Sequence, residues 1–422
     1  MISLSALEKI DPELYSYFEK EMEHQHSSLS FIPDENATSP LCASIMGSVL
    51  VNSAGRISYA RSEDLEKLTL RRICELFGAP CANIRTLNIE AASRVVFQAL
   101  TKRGDVVLSL DLRKKEHCNS ENLVFRFVNY GISPKTRQLD YADIERKVKE
   151  NHPHLVILSP VNYPFDIDYQ RLSEITRAAG ALLWVDISQT SGLIAAGVLQ
   201  SPVPYSDIVT FTMQGAMQGP QCAVILSKSE HGGAINRAVN TSGHRGLLTA
   251  QLAALSARIH EMATPAYREY CKAVLENAVA LERGLASAGI KLIGPQTQSH
   301  FVMVEMKDTA LSARGAQEML ADCGVMVRSA QVMTSDPDVK YDSVRLSVLS
   351  ATTRGVKAAD LERAGKAIGR YLLSPDDERT RELSTVIASI TATLPFFSKK
   401  WIPDGVELSQ TFAPEQLRSK AE

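Results

Sequence analysis

Apolar and polar positions along this chain follow two periods. Residues 63–77 (EDLEKLTLRRICELF) carry Leu65, Leu68, Ile73 and Leu76 at helical spacing, with acids early and arginines late, which predicts an amphipathic helix aligned with its dipole. Residues 91–102 and 168–179 predict two more. Between and after them lie short apolar runs at 105–110, 154–159, 181–186, 207–212 and 222–226. Short apolar strands alternating with amphipathic helices predict a mostly parallel sheet covered on both faces, an α/β fold. In such a sheet, functional residues are expected at the carboxyl ends of the strands.

Long helices over 247–262 and 266–289 then lead into a smaller α+β region, with strands at 300–305 and 343–348 and helices at 311–322 and 358–372. Near the start, 6–26 reads as helical after Asp11-Pro12, since proline in a first turn gives up no hydrogen bond. Beyond about residue 400 the chain is polar and broken by Pro403, Gly405 and Pro414, which predicts a loose tail. The expected organisation is an N-terminal arm (1–40), a large domain (41–265), a small C-terminal domain (266–375) and a C-terminal extension (376–422).

Composition narrows the function classes. The 422 residues are 45% hydrophobic and 22% charged with a formal net charge of -2, so a globular core is expected and polyanion binding is not. No nucleic-acid partner is expected. Seven cysteines (42, 74, 81, 118, 222, 271, 323) form no CxxC pair and no export signal opens the chain, which fits a reduced cytoplasm. No run nears the roughly 20 apolar residues a membrane span needs. GxxxxGK[ST], GxGxxG, HExxH and GxSxG are all absent, and His152 and His154 flank Pro153 as loop and strand-entry residues, so no metal site is expected.

Specific motifs remain. Asp207-Ile-Val-Thr-Phe-Thr-Met-Gln-Gly-Ala-Met-Gln-Gly-Pro220, with Val185-Asp186-Ile187-Ser188-Gln189 upstream, resembles the cofactor-lysine segment of serine hydroxymethyltransferase, a fold-type I pyridoxal phosphate (PLP) enzyme family. Phe31-Ile-Pro-Asp-Glu-Asn-Ala-Thr-Ser-Pro40 is similar to that family's Ser-Glu-Asn-Phe-Thr-Ser-Pro, and Gly47-Ser-Val-Leu-Val-Asn52 to its Gly-Ser-Val-Leu-Thr-Asn. Ile235-Asn-Arg-Ala-Val239, Thr241-Ser-Gly-His-Arg-Gly246 and Arg345-Leu-Ser-Val-Leu-Ser-Ala-Thr-Thr-Arg-Gly355 extend the resemblance over roughly residues 10 to 375. It implies an aspartate aminotransferase-like α/β large domain, a smaller α+β C-terminal domain, and a homodimer with active sites between subunits.

The resemblance also exposes departures. Counting back from Gly219-Pro220, Gln214 stands at the family's histidine and Gly215 at its Schiff-base lysine, and no lysine occurs between Lys149 and Lys228. The phosphate-cradling Ser-Gly-Ser turn reads Asn88-Ile89-Glu90, where a carboxylate repels a phosphate dianion; alternatively Glu90 simply favours a helix N-terminus. Gln189 replaces a PLP-contacting histidine, and Val161 replaces a serine. After Asn52 about five residues of a loop with a phosphate-touching tyrosine and a folate-serving glutamate are missing, by counting against the family pattern. Arg245 and Gly246 lie on the loop the family offers across the dimer.

Other positions keep their identities. Asp186 matches the partner of the PLP pyridine nitrogen; it could instead cap the following turn through an Asx-type bond. Arg345 matches the fork that grips a substrate carboxylate, and a structural salt bridge is the other reading. Tyr59 matches a tyrosine near that carboxylate. His117 falls at the ring-stacking position, where its pKa would suit a general base, although a charged run surrounds it. Glu35 matches the central glutamate of Ser-Glu-Asn, and Asp34 replaces the serine.

The resemblance thus implies catalytic roles for His117, Asp186 and Glu35, and substrate contacts for Arg345, Tyr59 and Asp34. Gln214, Gly215, Asn88, Glu90, Gln189, Arg245 and Gly246 are the degenerate cofactor positions. The family uses PLP and tetrahydrofolate, yet covalent PLP is not expected here. The leading expectation is a divergent transferase that acts on a small amino or carboxylic acid, moving a one-carbon or acyl group, because Asp186, Tyr59 and Arg345 persist. The alternatives are a noncatalytic paralogue that binds a metabolite or a partner protein, and a PLP enzyme without an internal aldimine.

Overall fold

The computed structural model describes residues 6–53, 62–110, 125–242, 246–336 and 338–402. In chain order the strands are β1 (Leu29–Ser30), β2 (Cys81–Thr86), β3 (Val106–Leu110), β4 (Arg126–Tyr130), β5 (Leu155–Leu158), β6 (Leu182–Asp186), β7 (Ile208–Thr212), β8 (Ala223–Ser227), β9 (Phe301–Glu305), β10 (Val325–Met326), β11 (Arg328–Met333) and β12 (Lys340–Ser347). The chain divides into two compact units: Thr38–Cys271 with Gln331–Tyr341, and Met1–Ala37 with Lys272–Ala330 and Asp342–Glu422.

The unit built on Thr38–Cys271 holds a seven-stranded sheet of order β2-β8-β7-β6-β5-β3-β4. β4, β3, β5, β6 and β7 run parallel, and β8 lies antiparallel between β7 and β2. β5, β7 and β8 are buried almost throughout, as strands covered on both faces must be, which is why they read as unbroken apolar runs. One face packs Ala92, Val95, Val96 and Phe97 of helix Ile89–Leu100, and Ile235 and Val239 of helix Ser229–Thr241, against Val107, Ile157, Trp184 and Ile225. Phe97 meets the Trp184 ring edge-on at 5.4 Å. Burying such a side chain stabilises by about 1.5–3 kcal/mol, which outweighs the modest strand propensity of any one residue.

β2, β4 and helix Tyr141–Asn151 were not singled out by periodicity. Cys81–Thr86 and Arg126–Tyr130 mix polar with apolar residues because each is an edge strand of this sheet. The helix is capped at its start by Asp140, whose side chain accepts from the Asp143 amide at 3.0 Å.

In the other unit, β12 pairs antiparallel with β9, Arg345 opposite Met303, within a sheet of order β11-β12-β9. β1 pairs parallel with β10. Helix Pro12–Ser27 begins at Asp11, which accepts from the Leu14 amide, with proline in the first turn as expected. Its far end is closed by Arg354, whose guanidinium donates to the carbonyls of Gln25, His26 and Ser28, while Nε donates to Pro395. Burial among carbonyls pushes the Arg354 pKa down to about 10. A further helix, Asp377–Thr391, packs on helix Ala358–Leu373, so an ordered element stands within the 376–422 segment, whose residues 403–422 lie outside the described residues.

Candidate functional site

In the Thr38–Cys271 unit, β2 and β3–β7 all end at one edge of the sheet, since β8 reverses direction between two of them. Asp186 is the last residue of β6 and is 3% exposed. Its Oδ2 accepts from Thr210 Oγ1 at 2.6 Å, and Thr210 in turn accepts from the Trp184 indole N–H at 2.9 Å. Oδ1 accepts from the Ser188 amide at 3.2 Å, the Asx-type bond. A buried carboxylate is costly without partners; a short hydroxyl donor and an amide satisfy it, with no ion pair among the described residues. The strand register makes this possible, because Asp186 lies directly opposite Thr210.

The next strand end carries the turn from Met213 to Pro220. Gly215 begins a short 3-10 turn, Gly215–Met217, with φ +59°, a left-handed conformation that glycine takes without strain. The turn is fixed from within. Gly219 N–H donates to Met213 O at 2.7 Å, and Tyr267 O–H donates to Ala216 O at 2.9 Å. Arg258 donates to Met217 O at 2.7 Å, to Gln218 Oε1 at 2.6 Å and to Glu261 Oε2 at 3.1 Å, with its guanidinium stacked 4.7 Å from the Tyr267 ring. Burial raises the Tyr267 pKa well above that of an ordinary phenol. Gly192 lets this happen: a Cβ there would sit 2.3 Å from Ala216 O. Gln214 remains exposed and Gln189, after β6, is half-buried.

At the end of β2, Asn88 caps helix Ile89–Leu100, its Oδ1 accepting from the Ala91 amide at 2.8 Å, and Glu90 is exposed in the first turn. That arrangement matches the helix-start reading of Glu90. Gly246, at φ +91°, lies beside the Arg85 stem, and Arg85 is tied to Glu66 by bonds of 2.6 and 3.1 Å. Val161, beyond β5, is half-buried. Tyr59, His117 and Arg245 lie outside the described residues.

The other unit carries Arg345 and Asp34. Arg345 points from β12 with its side chain 3% exposed, its guanidinium 5.5 Å from the Phe301 ring and its Nη2 3.7 Å from Asp34 Oδ2. Asp34 is 53% exposed. Next to it, Glu35 is also exposed and accepts from Ser30 Oγ at 2.7 Å. His300 is buried, with Nδ1 2.8 Å from Ser347 Oγ.

Of the expected catalytic residues, then, Asp186 stands in one unit, Glu35 in the other, and His117 outside the described residues. Of the expected substrate contacts, Arg345 and Asp34 are brought together. Thr210, Arg258 and Tyr267 were missed. Arg258 left one signal, a lone charge on the buried stripe of Leu255, Ile259 and Met262 in helix Thr249–Met262. Asp207, Glu230 and His231 also converge, but Lys228 Nζ lies 2.5 Å from Asp207 and the Leu183 amide donates to that carboxylate at 2.7 Å, a structural use of the acid.

Comparison with known proteins agrees with this geometry. The family model for serine hydroxymethyltransferase matches residues 7–368. The chain is 30% identical to the serine hydroxymethyltransferase of Bordetella avium (strain 197N) over 411 residues, which covers 93% of this chain and 98% of that protein. It is 31% identical to that of Polynucleobacter asymbioticus over 410 residues, covering 93% and 99%, and 30% identical to that of Myxococcus xanthus (strain DK1622) over 417 residues, covering 95% and 100%. With a mostly parallel, seven-stranded sheet and a match spanning nearly its whole length, the chain belongs to the serine hydroxymethyltransferase family and has its fold-type I α/β architecture.

Proposed function

We propose that this family member has lost the PLP-anchoring lysine and acts as a divergent transferase on a small amino or carboxylic acid, moving a one-carbon or acyl group without an internal aldimine. One observation carries the reading: Arg345 is almost fully buried, between Val344 and Leu346 in the buried half of β12, and has a carboxylate, Asp34, at its guanidinium. A guanidinium taken out of water needs an anionic partner, and its planar fork suits a carboxylate. Asp186 lends support, since a buried acid held by a hydroxyl and an amide keeps its orientation for a ligand's positive or proton-bearing group.

The residues do not fit covalently held PLP. Residue 215 has no side chain to form an imine, Asn88 takes the Ala91 amide at the helix start, and Glu90 adds negative charge in the same turn. Within this reading the protein works as a homodimer in the cytoplasm, and among its described residues no helix is long and apolar enough to cross a membrane. Ile10, Leu14 and Tyr17 on the first two helices, and Val49 and Val51, are exposed apolar side chains available to a second subunit. The same side chains favour the second reading, a noncatalytic paralogue that binds a partner protein.

Thermal unfolding tests the proposal. Small carboxylates and amino acids should stabilise the protein, by about 2.7 kcal/mol at a hundredfold excess over Kd, and Arg345→Ala should abolish the effect. A yellow protein bleached by borohydride would overturn it in favour of retained PLP chemistry. No ligand effect together with a stable protein partner would favour the noncatalytic reading.

A further inference from the structure

Asp34 is held where it stands. Its loop is stitched before the turn by Phe31 N–H to Met326 O and Ser347 N–H to Phe31 O, both 2.8 Å, and after it by Thr353 Oγ1 to Asn36 Oδ1 at 2.7 Å. The turn itself is closed by Glu35 N–H to Ile32 O at 3.1 Å. Since Ser347 is two residues beyond Arg345 on the same strand, the loop that carries Asp34 is fixed to the strand that carries its partner. The pairing is therefore preorganised. It is also asymmetric: the guanidinium is sequestered, while the carboxylate is half open to water.

We propose that Asp34 is a specificity-determining residue, an internal carboxylate at Arg345 that disfavours ligands whose only charge is a carboxylate and favours those with an ammonium beside it. This rests on the reading of Arg345 as a carboxylate receptor. Asp34 already sets a carboxylate at the guanidinium, so a plain carboxylate brings a second negative charge up against it. A zwitterion brings no net charge, and its ammonium is attracted by Asp34. Two like charges about 6 Å apart in a half-exposed setting, with an effective dielectric of about 40, differ by about tenfold in binding.

The experiment compares glycine and acetate as probes by calorimetry, using the full-length protein and its D34N, D34S and R345A variants. Asp34 is exposed, so D34N and D34S should fold, which thermal unfolding checks. The native protein should prefer glycine, and D34N and D34S should each shrink the ratio of acetate Kd to glycine Kd about tenfold. An unchanged ratio in both variants, with binding still lost in R345A, would overturn this inference alone. Binding that survives R345A, or no binding of either probe to any variant, would overturn the carboxylate-receptor reading and this inference with it.

Discussion

Replacing Arg258 by alanine should destabilise the Thr38–Cys271 unit by about 4 kcal/mol. The residue is 4% exposed and its side chain makes three hydrogen bonds, to Met217 O, Gln218 Oε1 and Glu261 Oε2. Truncation leaves the Met217 and Gln218 oxygens as buried acceptors without that donor, at about 1–3 kcal/mol each, and breaking a buried ion pair costs about 3–5 kcal/mol. These costs overlap. Ser39 Oγ still donates to Glu261 Oε2 at 2.7 Å, which softens the loss of the cation and keeps the total near the middle of that range. Arg258→Met fills most of the volume but restores no bond, so it should lose nearly as much as alanine. Combining it with Glu261→Gln should cost at least about 1 kcal/mol less than the two single changes summed, because the second change removes the charge that the first one strands. Urea unfolding followed by tryptophan emission is the assay, since Trp184 is buried in the same unit. A loss below about 1 kcal/mol in the alanine variant, or strict additivity in the double variant, would refute the clamp.

Two further outcomes follow from particular residues. Lysine placed at residue 215 must adopt φ +59°, so Gly215→Lys should lose about 1–2 kcal/mol in denaturant titrations. After borohydride reduction with stoichiometric PLP, mass spectrometry should find residue 215 the principal pyridoxylated site in that variant and no single dominant lysine in the native chain. Glu282, 9% exposed, has its pKa raised by burial, partly opposed by the Thr297 amide that donates to both its oxygens at 3.1 and 3.2 Å. The folded state thus holds this proton more tightly than the unfolded chain. The resulting stabilisation is full below the unfolded pKa and is lost as pH rises through the folded one. Glu282→Gln should therefore melt above the native protein near neutral pH, with the gap closing as the solution is acidified into the ordinary glutamate range; a gap that widens on acidification would contradict the sign.

The amino-acid sequence by itself determined the family and the succession of most of the buried strands with the helices between them. Strands covered on both faces must be apolar throughout and surface helices must be apolar on one stripe, so periodicity alone located β3, β5 to β9 and β12. Edge strands such as β2 and β4 escape that rule, and only the sheet places them. The family resemblance singled out Asp186, Arg345, Asp34 and the glycine at 215. What each of them touches was decided by tertiary structure. The Asp34 carboxylate reaches Arg345 because main-chain bonds tie its loop to β12, and Asp186 meets the Thr210 hydroxyl because β6 and β7 pair in one register. Arg258 finds Met217 and Gln218 only once helix Thr249–Met262 has packed beside the turn. Local pattern encodes which face of an element seeks burial, while the partner of a buried charge depends on contacts between segments far apart in the chain, which no short window of residues contains.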